Sequence, residues 1–218
     1  MRVLIACEFS GVVREAFTKR GHEAWSCDLL PSEIEGKHIQ GDVLKHLTDG
    51  WDLMIAHPPC TYLCVSGLRW IGDARYPDRE RDQEGAIVFV EKLWGAPIPK
   101  VAIENPVGIL SSKSNLKRAT QTIEPFYFGH NASKKTCLWL RGLPKLRYGG
   151  AIQMSFDDKT TLSLTAIVKP DLVTLSSGRR MSKWYVETSR VSLKNGLRGR
   201  IRSRTFQGIA DAMAEQWG

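Results

Sequence analysis

Short apolar runs alternate with helical patterns through the first half of the chain, and this alternation restricts the fold more than any other feature. Four runs have the length of a β-strand: Val3–Cys7, Glu23–Cys27, Asp52–Ala56 and Val101–Glu104. Apolar residues at helical spacing cover Gly11–Arg20, where Gly21 is placed to end the helix, and Arg79–Trp94. Strands and helices that alternate in this way are typical of an α/β fold built around a parallel sheet.

The second half has a different pattern. A strand is predicted at Thr136–Arg141, and the interval 143–202 that follows is rich in Gly, Ser, Thr and basic side chains with weak periodicity. Helical spacing returns over Thr205–Trp217. We therefore expect a core over 1–142, a small irregular basic segment over 143–202, and a final segment 203–218 whose helix packs back on the core.

Charge separates the two halves. Residues 1–110 carry 12 basic and 16 acidic side chains, whereas residues 111–218 carry 19 and 7, within a total net charge of +8. The interval 141–204 holds 14 basic and 4 acidic side chains. Clustered positive charge of this kind attracts a phosphate backbone, although RNA, an anionic lipid surface or an acidic protein would also fit.

The apolar content argues for a single domain away from membranes. The chain has 218 residues with 42% hydrophobic side chains, enough to fill one core. No apolar run approaches the roughly 20 residues of a membrane span, and the first run is too short for a signal-peptide core. We therefore expect a cytoplasmic monomer with five reduced cysteines and no membrane partner.

Residues that directly follow the predicted strands are the candidates for chemistry, because open α/β sheets bind ligands beyond the carboxyl ends of their strands. Four such segments carry polar or reactive side chains: Glu8–Gly11, Asp28, His57–Cys60 and Glu104–Pro106. Each is weak evidence alone. A glycine at a strand-to-helix turn is usually turn chemistry, and Asp28 is as readily a solvated turn residue as a ribose ligand.

Cys60 and Glu104 form the most informative pair. Two prolines hold the backbone before Cys60 extended and present its thiol at the sheet edge, whereas Cys7, Cys27 and Cys137 fit buried strand positions. Burial at a strand tip predicts a raised pKa for Glu104, so that it donates a proton near neutrality; the alternative is a helix cap or a lysine partner. No metal is expected, because no Cys-x-x-Cys pair or suitably spaced His accompanies Cys60.

The order of these segments resembles the DNA cytosine-C5 methyltransferase family, in the short versions that phages and prophages encode in bacterial hosts. Ala56–Gly67 follows the family's catalytic loop nearly position by position, and Ile103–Gly108 resembles its Glu-Asn-Val motif. Phe9-Ser10-Gly11 resembles the first motif. The resemblance implies a Rossmann-like S-adenosylmethionine-dependent methyltransferase sheet with helices on both faces.

The same resemblance implies roles for individual residues. The Cys60 thiolate would attack C6 of cytosine while Glu104 protonates N3. The catalytic set implied is Cys60, Glu104, Asn105 and Lys134 or Lys135, the lysines standing where the family has an arginine. The S-adenosylmethionine set implied is Phe9, Ser10, Gly11, Asp28, Asp42, Pro58, Arg204 and Thr205.

Two departures from the family pattern bear on substrate and cofactor. The glycine-rich loop here is Gly11-Val12-Val13-Arg14, with bulkier side chains, and the recognition region shrinks to 143–202. So short a basic segment is expected to bind the phosphate backbone of double-stranded DNA more than to contact its bases. This predicts relaxed sequence specificity, which suits protection of DNA from restriction. The residues proposed for this contact are Arg179, Arg180, Lys183, Arg198 and Arg200.

Several alternatives stay open. Arg204 near the donor would suit a carboxylated S-adenosylmethionine and carboxymethyl transfer. The substrate could instead be RNA or a free nucleotide, or the chain could be a catalytically silent nucleic-acid-binding homologue. Trp184 and Tyr185 either stack on an orphan base or, the interpretation we favour, anchor the basic segment to the core.

Overall fold

A computed structural model describes residues 1–149, 168–192 and 196–218. Its centre is a seven-stranded sheet in the order β3-β2-β1-β4-β5-β7-β6. The strands are β1 (Arg2–Ala6), β2 (Glu23–Asp28), β3 (His38–Gln40), β4 (Leu53–Ala56), β5 (Lys100–Pro106), β6 (Gln121–Ile123) and β7 (Thr136–Arg141). The first five strands run parallel, and β7 is antiparallel to both β5 and β6.

Helices lie on both faces of this sheet. They are α1 (Val12–Thr18), α2 (Val65–Leu68), α3 (Arg79–Trp94), α4 (Leu110–Lys113), α5 (Lys183–Arg190), α6 (Leu197–Ser203) and α7 (Gln207–Trp217). Short 3-10 helices occupy Val43–His46 and Pro125–Phe128, and a two-stranded ribbon joins β8 (Leu172–Thr174) to β9 (Arg180–Ser182). None of the helices so described is long and apolar enough to cross a membrane.

Successive side chains on the central strands point to opposite faces of the sheet, and both faces are covered by helices. On β1, Val3 and Ile5 face a core shared with α1 and α7, whereas Leu4 and Ala6 face a second core shared with α3. All four side chains are fully buried. Strands buried on both faces appear in the sequence as continuous apolar runs, which is why these strands are predictable.

The predicted α/β fold class is confirmed, since a mixed sheet is flanked by helices on both faces. Every strand and helix predicted from the sequence is present with ends within two residues, and α7 begins at Gln207 instead of Thr205. The short strands β3 and β6 were not predicted. Each has three residues, of which two are polar, and is therefore too short to show a periodicity.

The expectation of an irregular basic segment over 143–202 is wrong for the described residues 168–192 and 196–202, where β8, β9, α5 and most of α6 form. Basic side chains organise this region by donating to its carbonyls. Arg198 makes two bonds to the Val191 carbonyl, at 3.0 and 2.7 Å, and Arg202 lies 4.1 Å from the ring of Tyr185. Trp184 packs at 5.3 Å from Phe206, which supports the anchoring interpretation. Residues 143–149 of this segment contain no helix or strand, as expected, and residues 150–167 and 193–195 lie outside the described residues.

Candidate active site at the switch point of the sheet

The strand order changes direction between β1 and β4, because β2 lies on one side of β1 and β4 on the other. Connections from the two strands therefore leave in opposite directions and open a crevice at their carboxyl ends, where α/β sheets bind ligands. The segments after β1, β2, β4 and β5 meet along this edge. These are the four segments selected from the sequence.

Backbone hydrogen bonds join the loop that carries Cys60 to the loop after β5. The Val65 amide donates to Val107 at 3.1 Å, and the Ile109 amide donates to the Leu63 carbonyl at 2.9 Å. Gly108 permits this approach, since a Cβ built on it would lie 1.9 Å from the Leu63 carbonyl oxygen. The two loops are therefore held as one unit.

Asn105 ties the same two loops together through its side chain. Its Nδ2 donates to the Pro58 carbonyl at 2.8 Å, and the residue is only 1% exposed. The Asn105 Oδ1 is buried with no hydrogen-bond partner among the described residues. The structure thus gives Asn105, predicted as catalytic, and Pro58, predicted at the cofactor, a shared contact that positions the Cys60 loop.

The Cys60 thiol shares a hydrogen bond with Cys64. This bond, followed by burial and the nearby Glu104 carboxylate, raises the pKa of Cys60 well above the usual thiol range. The same bond lowers the pKa of Cys64 to about 5, with help from the Ser66 hydroxyl at 3.1 Å from its Sγ. The two thiols titrate as a pair that loses one proton readily and holds the other tightly.

Glu104 is not a carboxyl with a raised pKa, as the sequence predicted. Burial raises its pKa, but His57, Lys134 and Thr136 together outweigh burial and lower the pKa below its usual value. The His57 Nδ1 lies 3.3 Å from the Glu104 Oε2, and the two side chains are 7% and 17% exposed. The sequence showed the burial of the strand tip but not the three groups that distant segments bring to it.

Of the two candidate lysines, Lys134 lies at the site. Its positive charge contributes to the lowered pKa of Glu104 and only partly opposes the rise in the pKa of Cys60, and its Nζ donates to the Arg202 carbonyl at 2.9 Å. Lys135 is exposed and acts on Cys137 instead. A small cavity beside Lys134 is lined by Glu104, Thr136, Ser203, Thr205, Phe206 and Ile209, among others.

The turn after β1 is organised by Glu8, which the sequence analysis did not assign. Glu8 is 4% exposed, and its carboxylate accepts from the Val13 amide at 2.7 Å, the Arg14 amide at 3.2 Å and the Ser10 hydroxyl at 3.2 Å. Gly11 takes a left-handed φ of 74° to begin α1. Glu8 and His57 could have been selected from the sequence, because each is a titratable residue that directly follows a predicted apolar strand.

Arg14 explains why the glycine-rich loop has a bulky side chain at its end. Its side chain is fully buried and donates to the Ser26 hydroxyl at 3.0 Å, the Ile34 carbonyl at 3.1 Å and the Glu35 carbonyl at 2.6 Å. A Cβ at Gly36 would lie 2.7 Å from the guanidinium. Arg14 therefore fixes the segment after β2 against α1.

The remaining residues assigned to the cofactor come from two parts of the chain, the segments after β1, β2 and β3 and the residues between α6 and α7. Burial raises the pKa of Asp28, which accepts from the Leu30 amide at 2.9 Å, and Asp42 accepts from the Leu44 amide at 3.0 Å. Phe9 is 8% exposed. Arg204, which follows α6, forms an ion pair with Glu33 at 2.8 Å, so its charge is already matched.

The basic residues proposed for DNA binding separate into two groups. Arg179, Arg180 and Lys183 are exposed on the β8–β9 ribbon and at the start of α5, and form no ion pair within the part of the chain described here. Arg198 is committed to the Val191 carbonyl, and Arg200 lies 6.0 Å from the ring of Phe9. Only the first group forms an exposed cationic patch.

Fold and site together define an α/β protein with a ligand crevice at its switch point and a thiol pair beside a buried carboxylate and a lysine. Within the described ranges, no group of three or more His, Cys, Asp or Glu could hold a metal ion. No protein-family model matches the sequence, and no curated protein matches it.

Among the solved structures that are similar to part of the chain are two methyltransferases by their descriptions. One is described as a DNA modification methyltransferase encoded within an E. coli prophage, with 14% identity and a TM-score of 0.41 over 64% of this chain and 46% of that one. The other is the 16S rRNA methylase RmtB, with 14% identity and a TM-score of 0.35 over 64% of this chain and 55% of that one. This chain therefore spans about half the length of the structures it matches.

Proposed function

We propose that this chain is an S-adenosylmethionine-dependent methyltransferase that modifies cytosine at C5 in DNA. The observation that supports this most is that the loop carrying Cys60 is hydrogen-bonded to the loop that directly follows Glu104, at the carboxyl ends of β4 and β5. Nucleophilic addition to a cytosine ring needs a thiolate together with a proton donor for the ring nitrogen. The two loops that carry them are hydrogen-bonded to each other, so their relative position is fixed.

The crevice offers groups that suit S-adenosylmethionine. Phe9 provides an aromatic surface for the adenine, and the carboxylates of Asp28 and Asp42 provide acceptors for hydroxyl and amino groups. Asp28 is oriented at the end of β2 by the Leu30 amide, which donates to its Oδ1 at 2.9 Å. The left-handed turn at Gly11 brings the backbone of the loop after β1 to the crevice. The cofactor, when bound there, supplies an electrophilic methyl group.

The chemistry of the chain's own residues follows from their positions. The sulfur of Cys60 forms a bond to C6 of cytosine, electrons move through the ring to N3, and Glu104 delivers a proton to N3. This addition makes C5 nucleophilic. Transfer of the methyl group to C5 is followed by loss of the C5 proton, return of the N3 proton to Glu104 and departure of the Cys60 sulfur, which together restore the aromatic ring and the free thiolate. Lys134 stabilises the negative charge that Cys60 and Glu104 carry during these steps.

The exposed patch of Arg179, Arg180 and Lys183 is proposed to hold the phosphate backbone of duplex DNA near this site. Neutralising phosphates with such side chains gives binding that depends on salt and little on sequence. A base inside a duplex must leave the stack to reach a buried thiol, at a cost of a few kcal/mol. Contacts from the patch offset that cost.

The deciding experiment is methyl transfer from labelled S-adenosylmethionine to three substrates in parallel: duplex DNA, RNA and free dCMP. Nucleosides from each digest are separated and identified by mass spectrometry. Label in 5-methylcytosine from DNA alone is the expected result. Label in RNA alone or in dCMP alone would show that the substrate is not DNA. No label in any of the three substrates would reject the proposal.

The covalent step has its own test. Duplex DNA that carries 5-fluorocytosine should become trapped on the protein, because fluorine at C5 cannot leave as a proton does. Cys60→Ala should abolish this adduct, whereas Cys27→Ala, which removes a buried thiol on β2, should keep it. An adduct that survives Cys60→Ala would refute the assignment of the nucleophile.

A further inference from the structure

The first turn of α3 contacts the chain segment that follows Cys60. Arg79, the first residue of α3, donates from Nη2 to the Thr61 carbonyl at 2.9 Å and from Nε to the Gly67 carbonyl at 3.2 Å. The same guanidinium lies 4.9 Å from the centre of the Tyr62 ring. One side chain thus joins two carbonyls and one ring of a segment that begins directly after Cys60.

Gln83 adds a third backbone contact one turn further along α3. Residues four apart lie on the same face of a helix, which places Gln83 beside Arg79. The Gln83 Nε2 donates to the Tyr62 carbonyl at 3.0 Å, while its Oε1 accepts from the Lys113 Nζ at 3.2 Å. An ammonium group can only donate, so Lys113 determines which end of the amide faces Tyr62. Gln83 is 4% exposed, which shields this contact from water.

These contacts fix the backbone on the carboxyl side of Cys60. The Cys60 carbonyl accepts from the Leu63 and Cys64 amides, both at 3.0 Å, so Cys60 begins a turn whose next two carbonyls are bound by α3. Helix α3 is itself anchored, because Val90 and Leu93 are fully buried in the core that it shares with the sheet. The turn is therefore attached to a rigid part of the molecule.

We propose that Arg79 and Gln83 are positioning residues that hold Cys60 in place for its attack on C6 of the substrate ring, an inference that rests on the proposed function. Asn105 binds the backbone before Cys60, through the Pro58 carbonyl, and α3 binds the backbone after it. Neither Arg79 nor Gln83 needs to touch the substrate. Their contribution is to the rate, because misplacing a reacting group by about 1 Å can cost roughly 10²-fold.

Two variants test this role. Arg79→Lys keeps the positive charge but loses the planar fork that donates from two separate nitrogens. Gln83→Glu keeps the acceptor for Lys113 and loses the N–H donor to the Tyr62 carbonyl. Adduct formation on 5-fluorocytosine DNA is measured over a range of DNA concentrations. In both variants the maximal rate should fall by about 10²-fold, while the DNA concentration that gives half of it should stay at the wild-type value.

Arg81→Lys and Glu84→Gln are the matched controls, because both residues are exposed on the first turns of the same helix. Their maximal rates should equal that of the wild type. Urea denaturation establishes that each variant is folded, and Gln83→Glu decides alone if Arg79→Lys does not fold. A wild-type maximal rate in folded Gln83→Glu would overturn the inference, as would a defect confined to the DNA concentration that gives half the maximal rate.

Alkylation of Cys60 by iodoacetamide gives a second readout, which needs neither DNA nor S-adenosylmethionine. Mass spectrometry of the digested protein distinguishes label on Cys60 from label on Cys64. The alkylation rate of Cys60 should rise severalfold in Gln83→Glu, because local opening of the turn exposes a partly buried thiol. An unchanged rate would also overturn the inference. If alkylation rises as expected while no substrate is methylated, the positioning of Cys60 by α3 stands and the proposed function fails.

Discussion

Replacing Gly108 with alanine should separate the two loops that hold Cys60 and Glu104. The new Cβ would lie 1.9 Å from the Leu63 carbonyl oxygen and 2.8 Å from the Cα of Cys64. Both contacts involve backbone, which cannot rotate away as a side chain would, so the loops must move apart by about an ångström or more to reach ordinary van der Waals distance.

That movement breaks the hydrogen bonds Val65 to Val107 and Ile109 to Leu63. At a net value of about 1 kcal/mol each, the expected loss in the free energy of unfolding is about 2 kcal/mol. Misplacing reacting groups by about 1 Å can cost roughly 10²-fold in rate. Urea denaturation and the rate of adduct formation on 5-fluorocytosine DNA measure the two effects.

Gly85→Ala provides the comparison, because Gly85 lies within α3 with nothing within 4 Å of its Cβ position. This variant should gain about 0.5–1 kcal/mol from improved helix propensity and keep its adduct rate. A Gly108→Ala protein as stable and as reactive as the wild type would refute the close contact between the loops.

Three further predictions follow from the site. Arg14→Lys should lose roughly 2–3 kcal/mol in urea denaturation, because a lysine cannot donate to Ser26, Ile34 and Glu35 together; an unchanged midpoint would mean that these bonds contribute nothing. Changing Arg179, Arg180 and Lys183 to glutamine should weaken DNA binding about equally on all sequences and reduce the slope of log K against log salt by about 0.9 for each phosphate that the variant no longer neutralises. Lys19→Gln, at an exposed lysine that ends α1, is the control. Because the pKa of Cys64 is lowered to about 5, the thiol pair has lost one proton at about pH 6, and the wild type should react with iodoacetamide at that pH. In Cys64→Ser the pH at which alkylation begins should rise towards the ordinary thiol range. Equal rates at about pH 6 would exclude the shared proton.

The central strands were predictable because burial on both faces of the sheet requires apolar side chains at successive positions. β1, β4 and β5 each carry a run of buried apolar residues, whose signal survives without knowledge of their neighbours. β3 and β6 were missed because they exist only as partners of longer strands at the two sheet edges. Their hydrogen bonds come from tertiary context and leave no local pattern.

The site was predictable in position but not in protonation. Residues after strands end at one edge of a parallel sheet, which is enough to bring Cys60 and Glu104 together. The effects of Lys134, Thr136 and His57 on the Glu104 pKa depend on distances across three segments. Neighbouring lysines in sequence likewise give no hint that Lys134 and not Lys135 faces the carboxylate.

Helix α6 connects two parts of the molecule that the sequence suggested were separate. The Arg200 guanidinium lies 6.0 Å from the ring of Phe9, while Arg202 donates to the Tyr185 carbonyl at 3.1 Å and the Ser189 hydroxyl at 2.6 Å on α5. A small molecule that stacks on Phe9 would compete with Arg200 for this space and so act on α6, which packs against α5 where Lys183 begins the helix. Thermodynamic linkage then makes the effect mutual: whatever binds at the crevice changes affinity at the patch by the same factor as the patch changes affinity at the crevice.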